Sequence, residues 1–101
     1  MKHTLEETIR INKLLELYSR FLTKSQQEIM SDYFENNLSL AEISEIREIS
    51  RTAVSDAINK SIKKLDDYEE KLHLLKIFEE EKTKGNEEII DTIIERIKDG
   101  I

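Results

Sequence analysis

Cysteine and proline are missing from this chain, and glycine occurs only as Gly85 and Gly100. Without cysteine there is no disulfide framework, no thiolate metal site and no cysteine nucleophile. With so little proline and glycine, long stretches are free of helix breakers, and no glycine-rich loop could cradle a phosphate. Histidine is nearly as scarce: His3 and His73 stand far apart, and neither has an evident orienting partner. Catalysis needs a nucleophile with its base, a metal cluster or a phosphate-binding loop. The residues therefore point to a protein that is not an enzyme and uses no cofactor or metal. No apolar run approaches the length of a membrane span, and no secretory signal pattern opens the chain. The expectation is a soluble, cytoplasmic protein.

Charge is plentiful instead. Of 101 residues, 38% are charged, which together with the missing breakers predicts an all-α protein with one modest core. The net charge of −6 argues at first against a polyanionic partner, but its distribution is uneven. Residues 1–46 and 65–101 are both net acidic. Between them lie Arg47, Arg51, Lys60, Lys63 and Lys64 against Glu48 and Asp56, a net of +3. A phosphate-contacting helix needs that placement.

The positive segment overlaps a motif. Ser39 and Glu42 form a capping box that opens one short helix, and Ser50 is the N-cap of the next. Leu40, Ile43 and Ile46 share a helical face, Ile49 follows in the turn, and Val54 and Ile58 continue the apolar set. Ala41 and Ala57 are small enough for close helix crossings. Residues 39–58 thus read as a helix-turn-helix, although the turn position that often holds glycine holds Glu48. The plain alternative is a helical hairpin using the same apolar residues. In a helix-turn-helix, Arg51, Thr52, Ser55 and Asn59 near the start of the second helix face the groove, while Lys60, Lys63 and Lys64 suit backbone phosphates. Asp56 is repulsive there unless it accepts from a cytosine or pairs with Lys60 one turn on.

Around the motif, Thr4 and Thr23 are further caps. Helical spacing of Leu5, Ile9, Leu14, Leu15, Tyr18, Phe21 and Leu22 predicts a first helix over about 5–21. A second runs to about Asn36, burying Ile29, Met30, Tyr33 and Phe34. From Arg51 to about Lys82 no breaker occurs, and Val54, Ile58, Ser61, Leu65, Tyr68, Leu72 and Leu75 form a heptad-like seam with one polar member. This predicts a helix of about 30 residues, roughly 45 Å long. Its distal half needs another apolar surface. Lys84-Gly85-Asn86 is a stop and a new N-cap, after which Ile89, Ile90, Ile93, Ile94 and Ile97, with Ile101 beyond, make an isoleucine face. Such a stripe supplies on the order of 7–15 kcal/mol of gross transfer free energy. It folds back on the long helix, meets a second copy in a homodimer, or does both. The chain divides into a helical head, residues 1–64, and a helical arm, residues 65–101, for packing or dimerisation. The acidic runs Asp66-Asp67 and Glu79-Glu80-Glu81 read as solvated faces.

Taken in order, Leu22-Thr-Lys-Ser-Gln-Gln27, Tyr33-Phe34, Leu38-Ser-Leu-Ala-Glu-Ile-Ser44, Ser50-Arg-Thr-Ala-Val-Ser-Asp56 and Leu65-Asp-Asp-Tyr-Glu-Glu-Lys-Leu72 resemble the bacterial YlxM-like family. The similarity spans about Leu14 to Lys82. It implies a small helical protein whose head is similar to the promoter-reading region 4 of sigma factors. Because genes of this family commonly neighbour that of the signal recognition particle GTPase, it also implies an accessory or regulatory role in that pathway, through the particle's RNA or its GTPase. Arg51 matches the family pattern. Thr52 and Ser55 stand where the family often has glutamine and an aromatic residue, and the acidic Glu48 is also unusual. Two other readings remain: a dimeric DNA-binding transcriptional regulator, and a protein-interaction module that does not bind nucleic acid.

Overall fold

The computed structural model describes residues 3–99, so Gly100 and Ile101 lie outside the described residues. Within them the chain is all-α: α1 (Leu5–Tyr18), α2 (Lys24–Met30), α3 (Leu40–Arg47), α4 (Arg51–Leu72), α5 (Leu74–Thr83) and α6 (Glu87–Lys98). The caps read from the sequence set the starts. Thr23 with Gln26 and Ser39 with Glu42 close reciprocal capping boxes. Thr4 Oγ1 accepts from the Glu7 N–H at 3.1 Å, and Ser50 Oγ accepts from the Ala53 N–H at 3.0 Å.

Helices α1, α2 and α3 pack around α4. The core joins Ile11, Leu14, Leu15, Leu17 and Tyr18 of α1 to Ile29, Met30, Phe34, Ile43, Val54, Ile58 and Leu65. Ser61, the polar member of the seam, is fully buried, and its hydroxyl donates to the Ala57 carbonyl at 2.7 Å. Several assignments by periodicity need correction. Leu5, Ile9 and Phe21 are exposed, as are Ile46 on α3 and Leu72, the seam member at the end of α4. The buried stripe of α1 runs through Ile11, Leu14, Leu15 and Tyr18; Leu5 and Ile9 fall on the opposite side of a 3.6-residue helix. Phe21 lies in a 3₁₀ turn, Ser19–Phe21, that follows α1 and directs Leu22 inward instead. After α2, a π-helical turn over Ser31–Glu35 carries Phe34 into the core.

The larger correction concerns the long helix, which does not continue to Lys82. It ends at Leu72, and His73 takes left-handed angles, φ 53° and ψ 27°. A side chain far away in sequence explains the break. The buried Tyr18 hydroxyl donates to Glu69 Oε1 at 2.7 Å and accepts from the Leu74 N–H at 3.2 Å. The same Glu69 carboxylate accepts from the Leu75 and Lys76 N–H groups at 3.0 and 3.2 Å. Donors that a new helix start would leave unsatisfied are thereby paired. Burial and the Glu69 carboxylate raise the Tyr18 pKa well above the ordinary tyrosine range, keeping the hydroxyl a donor.

The bend turns α5 back along α1, where Lys13 Nζ meets Glu79 Oε1 at 2.9 Å. Gly85, at φ 89°, makes the corner into α6. Asn86 occupies the N-cap position without capping by its side chain, which donates instead to Glu81 Oε2 at 2.8 Å. Across that corner Lys82 Nζ reaches Asp91 Oδ1 at 3.0 Å. The isoleucine face splits. Ile90 is buried and Ile94 and Ile97 pack on the core, while Ile89 and Ile93 face outward.

Candidate nucleic-acid interface

Helices α3 and α4 form the helix-turn-helix, joined by residues 48–50. Glu48 adopts left-handed angles, φ 56° and ψ 43°. The Ile49 N–H donates to the Ser44 carbonyl at 3.1 Å and the Glu48 N–H to Glu45 at 3.4 Å. This paired arrangement closes a helix with one left-handed residue. A non-glycine residue costs about 1–2 kcal/mol in that conformation. Ile43 is fully buried beneath α4, whereas Ile49 is 39% exposed at the turn.

The start of α4 is electropositive for two reasons. Its first turn contains no acidic residue, and Arg51 is its first residue. The unpaired amide N–H groups of a helix start add partial positive charge along the axis. Arg51, Thr52, Asn59, Lys60 and Lys63 are exposed, and Ser55 is half-buried. Arg51 and Lys60 have no ion-pair or hydrogen-bond partner among the described residues. The pairing of Asp56 with Lys60 that the spacing allows is not formed; both side chains extend into solvent. Lys63 approaches Asp67 at 3.5 Å, a solvated pair of the kind worth little.

Not all seven candidates share a surface. At about 100° per residue, Arg51, Thr52, Ser55, Asn59 and Lys63 occupy one flank of α4 beside the buried Val54–Ile58 seam. Lys60 and Lys64 turn progressively toward the other flank. Lys64 is half-buried there and donates to Gln26 Oε1 at 3.0 Å. Lys24 is exposed at the first position of α2, a cation outside the positive segment of the sequence. Arg47, counted by sequence with the positive segment, belongs to the scaffold. It donates from Nε to Asp32 Oδ2 and from Nη1 to Glu28 Oε2, both at 2.9 Å.

A family model described as "Putative helix-turn-helix protein, YlxM / p13 like" matches residues 5–99. The chain belongs to the YlxM / p13-like family. It is similar to the UPF0122 protein YlxM of Bacillus subtilis (strain 168), 46% identical over 83 residues, which cover 82% of this chain and 76% of the relative. A UPF0122 protein of Clostridium botulinum is 38% identical over 95 residues, 94% of this chain and 83% of the relative. One from Fusobacterium nucleatum is 46% identical over 68 residues, 67% of this chain and 66% of the relative. The match to the YlxM / p13-like model takes in α6, beyond the stretch that carries the resemblance by motif.

The histidines stay apart. His3 packs against the rings of Tyr33 and Phe34, while His73 sits exposed at the α4–α5 bend. No group of acidic and histidine side chains able to hold a metal occurs among the described residues, and no described helix is long and apolar enough to cross a membrane.

Proposed function

We propose that this YlxM / p13-like protein binds nucleic acid through the first turns of α4, with Arg51 as the principal contact. One observation carries the reading: Arg51 opens an electropositive helix start, exposed and without a protein partner, on a helix fixed by the core from Val54, three residues further on. Thr52, Ser55 and Asn59 then face base edges or sugars, and Lys60 and Lys63 face phosphates. Lys64, turned toward α2, contributes charge from the side. Thr52 and Ser55 are short, so phosphate contacts and groove shape dominate over base readout. The acidic remainder of the chain suppresses indiscriminate binding.

Within that function, the family resemblance favours an accessory role in the signal recognition particle pathway in the cytoplasm, acting on the particle's RNA or alongside its GTPase. A dimeric regulator of palindromic DNA is the second reading, favoured by the outward-facing Ile89 and Ile93 on α6. A non-enzymatic function follows from either.

Fluorescence anisotropy with labelled duplex RNA and DNA across a salt series tests the proposal. Affinity should fall steeply with salt, and Arg51→Ala or Lys60→Ala should each reduce the slope by about 1. Preference for the particle's RNA hairpin over an unrelated hairpin supports the first reading; preference for palindromic DNA supports the second. No binding to any of these polymers at low salt leaves only a protein-interaction role.

A further inference from the structure

On the flank of α4 away from Arg51, three aromatic rings form a ladder that climbs from the core to the surface. Tyr18 is fully buried, and its ring stacks on Tyr68 with centroids 6.1 Å apart and planes 24° apart. Tyr68 is half-buried and meets Phe21 at 4.9 Å and 31°. Phe21, the outermost ring, is 48% exposed. The chain has only three tyrosines and three phenylalanines, so half of its aromatic rings are gathered here. Packing explains Tyr18 and Tyr68 but not the exposure of Phe21, since Leu22 already supplies the inward side chain of that turn.

The charges one helical turn to either side of Tyr68 are positive. The residues one turn away from Tyr68 are Lys64, Leu65, Lys71 and Leu72, with no carboxylate among them. Tyr68 lies between two acids, Asp67 and Glu69, and Glu69 is engaged by the Tyr18 hydroxyl and the α5 amides. Lys63 faces Asp67 on another side of the helix. Lys24 follows Phe21 by three residues at the start of α2, and the Lys64–Gln26 hydrogen bond ties α4 to that helix start. Lys24 and Lys71 are exposed and have no partner among the described residues. A half-exposed ring with Lys64 and Lys71 one helical turn to either side of its partner Tyr68 suits a ligand that joins flat π-faces to a phosphate backbone, against the chain's overall charge of −6. Base–aromatic stacking with flanking cations is the recognition mode of unpaired strands.

We infer that Phe21 and Tyr68, with Lys24, Lys64 and Lys71, form a second nucleic-acid site that stacks an unpaired nucleotide of a single-stranded RNA or DNA segment. The inference rests on the nucleic-acid reading for its polymer class but uses residues separate from the Arg51 ridge, apart from Lys64.

The chain contains no tryptophan, so Phe21→Trp in this 101-residue chain gives a single reporter at the outer rung. Single-stranded 12-mers of uridine and adenosine should quench it. An abasic 12-mer of the same backbone should bind about tenfold more weakly and leave the fluorescence unchanged. Phe21→Leu, which keeps an apolar side chain without the ring, should weaken single-strand binding by about tenfold and leave duplex binding as it was. Helical content by circular dichroism identifies any variant that fails to fold, and Tyr68→Leu is then the substitute. Equal quenching by the abasic strand, by polyglutamate or by anionic vesicles overturns the stacking site in favour of plain electrostatics. Duplex binding that depends on Arg51 with no response to single strands overturns this inference alone. Loss of binding to both polymers overturns it together with the proposed function.

Discussion

Arg47 and Arg51 are four residues apart and alike in charge, yet they do different work. Arg47 is half-buried, and its guanidinium holds the buried Asp32 together with Glu28, locking α3 to the end of α2. Arg51 meets only solvent. Arg47→Ala would strand the Asp32 carboxylate and should lower stability by about 2–3 kcal/mol, measured by urea unfolding. Arg51→Ala should change stability by less than about 0.5 kcal/mol. Nothing in the sequence separates the two. The net-positive stretch was legible, but which arginine has carboxylates waiting depends on a π-helical turn that presents Asp32 to α3, and composition does not record that. The caps lie at the other extreme. Ser39, Glu42 and Ser50 act within four residues of themselves, so their roles were readable before any fold was known.

The bend at His73 shows where helical periodicity stops being informative. Every residue from Arg51 to Lys82 is compatible with helix, and the break is imposed by Tyr18, which precedes Glu69 by 51 residues. Local pattern predicts local structure, and this determinant is not local. His73→Gly removes the left-handed penalty and should stabilise the bent form by about 0.5–1 kcal/mol after the entropy cost of glycine. His73→Ala should destabilise it, because alanine favours carrying the helix straight on. Thermal unfolding ranks the three chains. Tyr18→Phe, which leaves Glu69 without its hydroxyl donor, should cost about 1–2 kcal/mol. The pH dependence has a definite sign. The folded pKa of Tyr18 lies above its ordinary value of 10.0, so its contribution is complete below that pH and is lost as pH rises through the elevated value. Alkaline titration should therefore destabilise the native protein more than Tyr18→Phe.

Across the assembled molecule, α5 and α6 lie against α1, and their isoleucines divide by direction. The stripe itself was evident in the sequence; which of its members face inward was not, because that depends on the angle of the Gly85 corner. Ile90→Ala should cost about 2–4 kcal/mol by opening a cavity beneath α6. Ile89→Ala should be nearly neutral for the monomer, and paired with Ile93→Ala it should weaken any two-fold self-association seen by light scattering. A dimer unaffected by the pair would place its interface elsewhere. Helix α4 is the longest element, and α1, α2 and α3 all pack on it. It is a single rod of 22 residues, about 33 Å long, with the Arg51 ridge at one end, the aromatic ladder near the other and the Val54–Leu65 seam clamped between them. A rod held at its middle transmits torque, so a polyanion gripping the Arg51 end should damp fraying at the opposite tip. Slower amide deuteration around residues 70–76 on addition of a duplex, which engages the Arg51 end and not the aromatic ladder, would be the signature of that stiffness.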